Sequence, residues 1–175
     1  NRPSVAGALY LENIGMLEQQ SETLEESWNN IFTVFYTYYG SRNDELKGDA
    51  AQIYDVIAAD EALADDFIVR FVEREDWNLE EKLYLATAAL EDFPGAPHLR
   101  LCVQMLDLCI DVPKYFNSLF YCIIRFTFIH GKSIEGFNND TFKVEALWPR
   151  YNAFLERHFG SFELPNQEPT RNPEK

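Results

Sequence analysis

Apolar residues recur along this chain at helical spacing. Leu24, Trp28, Ile31, Phe32, Phe35 and Tyr39 follow one another at three- and four-residue steps, which describes one broad helical face over 22–39. Ser21 stands where an N-cap belongs, and Gly40 where a helix stops. The opposite side, Glu26, Asn30, Thr33 and Thr37, carries a single charge. A helix so weakly charged on its outside is expected to be flanked on several sides, or to meet a second copy in a homodimer.

Two shorter segments follow, near 49–59 and 61–75. Ala50, Ile53, Tyr54 and Ile57 line the first; Leu63, Ala64, Phe67, Ile68 and Phe71 line the second. Asn78-Leu79-Glu80-Glu81 has the cap and the N3 acid of a capping box, and opens a stripe of Leu79, Leu83, Ala86 and Leu90. Phe93-Pro94-Gly95 breaks that helix, and Pro97 opens the next. The segments 97–111 and 113–130 are apolar around most of their circumference, so they are expected as central helices. Phe126-Thr127-Phe128-Ile129 also reads as strand, but the length of its segment and the missing hairpin turn favour helix. A Gly-, Asn- and Ser-rich loop is expected over 131–140. A last helix over 141–159 holds Pro149, which predicts a kink or a restart at Trp148.

The pattern as a whole predicts an all-α fold: a single globular helical bundle of about seven or eight helices over 1–163. A polar, Pro-rich C-terminal tail over 164–175 follows it. With 175 residues, 46% apolar and 15% aromatic, the chain can fill one core without metal or disulfide staples. Ala89-Leu90-Glu91-Asp92-Phe93-Pro94 resembles the close of a tetratricopeptide helix pair. The signature of that family is missing about 34 residues to either side, so no repeat is read.

Charge changes the picture more than composition does. The formal net charge is −14. Residues 44–92 hold 15 acids and 4 bases, whereas residues 93–175 hold 9 of each. A field this one-sided repels nucleic acid and anionic membrane and attracts a basic protein surface. The longest uninterrupted apolar run, 119–124, is far too short to span a bilayer. Cys102, Cys109 and Cys122 are odd in number and lie in apolar surroundings. They are expected as inert buried thiols, which together with the lack of a visible leader predicts a cytoplasmic location.

Motifs for chemistry are missing. Gly131-Lys132-Ser133 lacks the glycine five residues earlier that a phosphate loop needs, because that position holds Phe126. His98, His130 and His158 form no metal-ligand pair at helical offset, so no metal and no resident cofactor is expected. No nucleophile elbow or neighbouring Cys–His pair is present, and an enzyme is not the expected reading.

The surviving feature is a surface. On the segment near 61–75, Asp65, Asp66, Val69 and Glu73 fall opposite the apolar stripe, and Asp76, Trp77, Glu80 and Glu81 continue the acidity. Acids around an aromatic and a valine would supply steering and contact area for a basic partner, as in an inhibitor, immunity protein or charge mimic. Trp77 has a second reading, as a hydrophobic staple on the following helix. The alternative function is an apolar-ligand or cofactor pocket between aromatic helices, with Phe35, Tyr36, Phe116, Phe120 and Tyr121 as its lining.

Overall fold

The computed structural model describes residues 21–130 and 144–160, and every regular element among them is helical. In chain order these are α1 (Ser21–Ser41), a 3-10 turn (Asp44–Leu46), α2 (Lys47–Ala59), α3 (Glu61–Val72), α4 (Leu79–Asp92), α5 (Ala96–Leu108), α6 (Pro113–His130) and α7 (Val144–Phe159). The strand reading of the 113–130 segment is thereby excluded. Thr127 instead donates its hydroxyl to the Ile123 carbonyl one turn back, at 2.8 Å. The expected 131–140 loop, the 164–175 tail and the ends of the 1–163 boundary lie outside the described residues.

Local chemistry sets the element ends. Asn78 accepts from the Glu81 amide at 2.8 Å, and the Glu81 carboxylate accepts from the Asn78 amide at 2.9 Å, so the capping box read from the sequence is closed on both sides. Asp60 caps α3 by accepting from the amides of Ala62 and Leu63. Gly40 does not stop α1. The helix runs one residue further and turns at Arg42, which takes a left-handed conformation at φ 58°. That conformation costs a non-glycine residue about 1–2 kcal/mol, and the hydrogen bond from the Arg42 guanidinium to the Tyr84 hydroxyl offsets part of it. Pro149 does not restart the last helix; α7 continues through it, forgoing the single amide that proline lacks.

α5 is the hub. Leu99, Leu101, Cys102, Val103, Met105 and Leu106 are all buried, and α2, α3, α4, α6 and α7 pack around it. α1 lies across α2 and α4, and its apolar face meets Phe67 and Phe71 of α3 and Trp77 through edge and offset ring contacts. α6 corrects the expectation of two central helices. Phe116, Leu119, Ile123 and Phe126 bury one stripe, while Lys114, Asn117, Ser118, Tyr121 and Arg125 face solvent. It is an amphipathic outer helix. The weakly charged side of α1 is likewise open rather than flanked, with Glu26, Asn30 and Thr33 exposed.

Candidate functional site

α3 turns Leu63, Ala64, Phe67, Ile68 and Phe71 inward, which leaves Asp65, Asp66, Val69 and Glu73 outside. Its far end is held by Lys82. That ammonium is buried and donates to the Val72 carbonyl at 2.7 Å, and desolvation lowers its pKa. The helix therefore presents its outer face from a fixed position.

Beside that face, between α3 and α5, runs a groove of about 600 Å³. Ile68, Val69, Val72 and Val103 give it an apolar lining; Glu61, Asp65, Glu73, Arg100, Gln104 and Arg150 supply polar groups. The two arginines are already engaged. Arg100 of α5 forms an ion pair with Asp65 of α3, and Arg150 of α7 donates to both carboxylate oxygens of Asp107, at 3.0 and 3.2 Å. Glu61 and Glu73 have no ion pair among the described residues. The uncompensated charge of the groove is thus negative and sits at Glu61 and Glu73.

The sequence-predicted residues divide. Asp65, Val69 and Glu73 line the groove together, and Asp66 is exposed on the same helix. Val69 keeps 50% of its surface in water, high for an aliphatic residue on a packed helix. Asp76 is paired with Arg74 at 3.0 Å. Glu80 is exposed at the start of α4, away from the groove lining. Glu81 closes the capping box and also accepts from the Tyr36 hydroxyl at 2.9 Å, a contact that raises the Tyr36 pKa. It is a structural carboxylate.

Trp77 is the clear correction. Only 7% of it is exposed, its ring packs on Phe32, Tyr36 and Phe71, and the Arg74 guanidinium lies 4.9 Å from its centroid. It anchors the start of α4 to α1 and α3 and offers nothing to a partner. The acidic face is also less charged than its sequence, because Arg70, Arg74 and Arg100 each reach a carboxylate of Glu25, Asp76 or Asp65. Sequence reasoning missed Glu61, Val103, Gln104, Arg100 and Arg150. The α5 and α7 residues come from other helices, and no local pattern joins them to α3.

The alternative pocket does not assemble. Phe35 belongs to a ring cluster with Tyr39, Phe67 and Phe71, whereas Phe116 and Phe120 stack with Phe154 and Tyr151 in a separate one. Phe35 and Phe116 are buried core residues, Tyr36 is tied to Glu81, and Tyr121 is 66% exposed. Close packing within each cluster, with Phe116 and Phe154 only 4.1 Å apart and parallel, takes up the space a ligand would need.

His98 is 2% exposed among the rings of Phe35, Tyr54 and Phe67, with its Nδ1 lacking a partner; desolvation pushes its pKa down to about 3. Among the described residues, no group of three or more His, Cys, Asp or Glu side chains could hold a metal ion. No helix there is long and apolar enough to cross a membrane.

No family model, curated protein or solved structure matches this chain.

Proposed function

We propose that this protein is a non-enzymatic binding module whose α3 face docks on a basic surface of another protein. Inhibitors, immunity proteins and charge mimics work on this principle. The observation that carries the reading is Val69, half in water on the same helical face as Asp65, Asp66 and Glu73. Asp66 and Glu73 are free of ion pairs among the described residues, so their charge is available to a cation. The acids supply long-range steering, and the aliphatic patch supplies contact area once water is expelled.

Titration against a panel of basic proteins, histone and a basic nuclease among them, tests this reading. Binding should weaken as salt rises from about 0.05 to 0.3 M, where screening shortens to under about 10 Å. The double variant Asp66→Asn, Glu73→Gln should weaken it further. Affinity indifferent both to salt and to these substitutions overturns the proposal.

A further inference from the structure

We infer that the groove between α3 and α5 seats an amphipathic helix of the basic partner, with two Lys or Arg residues eleven or twelve positions apart on either side of an apolar stripe. The inference rests on the docking reading above and adds the shape of what docks. Glu61 and Glu73, both on the groove lining, lie twelve positions apart on α3, about 18 Å along its axis at 1.5 Å per residue. Between them lie Ile68, Val69 and Val72 on one helix and Val103 on the other, with the Asp65–Arg100 ion pair, Gln104 and the Asp107-bound Arg150 beside them. A helix laid along this groove repeats the same rise, so cations matched to both carboxylates fall at that spacing, with aliphatic side chains over the valines.

An extended segment is the weaker occupant. The groove is walled by helices, whose backbone groups are already bonded within each helix, so a strand would bury amides and carbonyls without partners. A helix brings its own backbone pairing. The groove at about 600 Å³ suits a row of side chains entering a helix–helix furrow.

Glu73 supplies an independent reason to expect a cation at that end. It is the C-cap residue of α3, where the helix dipole disfavours a carboxylate; Arg70 and Arg74 border it but pair with Glu25 and Asp76, and among the described residues it has no ion pair of its own. Glu61 lies in the first turn, where the dipole favours it. The unfavourable end is therefore the one that gains most from an arriving ammonium or guanidinium.

The probe is a pair of synthetic helical peptides of one composition, one with its two lysines twelve apart around leucines, the other with them six apart. Methyl NMR of the full chain follows Ile68, Val69, Val72 and Val103. The matched peptide should shift those four methyl sets and bind about five-fold tighter than the control, an advantage removed by Glu61→Gln with Glu73→Gln. Equal binding of both peptides overturns the helix-in-groove inference, whereas the docking proposal is then decided separately by the salt dependence and the Asp66→Asn, Glu73→Gln titrations against basic proteins. No binding of either peptide, together with no binding of the basic proteins at low salt, overturns both.

Discussion

The Tyr54 hydroxyl fills the space that a Cβ on residue 95 would need. Gly95 precedes α5 in an extended conformation that any residue adopts, so its lack of a side chain serves packing and not backbone freedom. The Tyr54 ring is stacked on Phe93 and leans on His98, which leaves it little room to retreat.

Gly95→Ala should therefore destabilise the fold by about 1–3 kcal/mol, the usual cost of overpacking. Tyr54→Phe in the same background should recover part of this by removing the colliding oxygen. Urea midpoints of the four proteins in the cycle measure the coupling; simple additivity would refute the contact.

His98 predicts how stability responds to acid. Its pKa is 6.5 in an ordinary setting and about 3 in the fold, because burial excludes the charged ring. Below pH 6.5 the unfolded chain binds a proton that the native state refuses. The contribution is complete above that pH and drains away as pH falls toward 3, approaching about 1.4 kcal/mol per unit. His98→Phe should flatten this part of the profile between pH 6.5 and 4.5, measured by denaturant unfolding against the parent.

Two carboxylates of similar sequence standing should behave oppositely. Glu81→Ala should cost about 1–2 kcal/mol, because it opens the capping box and strips the Tyr36 hydroxyl of its acceptor. Glu73→Gln should stabilise by about 0.3 kcal/mol, since it removes a carboxylate from a helix C-terminus, while weakening attachment to basic proteins. Thermal melts alongside binding titrations separate the two effects.

Thiol reactivity should report the core. Desolvation raises the Cys102 and Cys122 thiols and pushes Cys109 up to about 11. A disulfide reagent at pH 7.5 should modify the native protein at least about ten-fold more slowly than the denatured chain. Equal rates would mean that the thiols are not enclosed.

Much of this fold is legible in the sequence, because most of it is dictated by neighbours three and four residues away. The α3 stripe and the Asn78 capping box are of that kind, and both are present. The α6 pattern is too: Phe116, Leu119, Ile123 and Phe126 form one stripe, but the Phe and Ile residues between them mask it when apolar content alone is weighed. Trp77 was ambiguous for a different reason. A lone aromatic between acids looks the same whether it meets solvent or the rings of Phe32 and Phe71, and only tertiary packing decides. The groove was beyond local reading altogether. Asp65 and Arg100 lie 35 residues apart, and Arg150 reaches the lining from the last described helix.

The three tryptophans also make the molecule its own optical reporter. Trp28 and Trp77 are dry, each under an arginine, whereas Trp148 on α7 is 47% exposed. Ultraviolet emission should contain a blue part that acrylamide reaches poorly and a red part that it extinguishes readily. Changes at the α1–α3–α4 junction and changes along α7 can then be followed as two colours from one unlabelled sample.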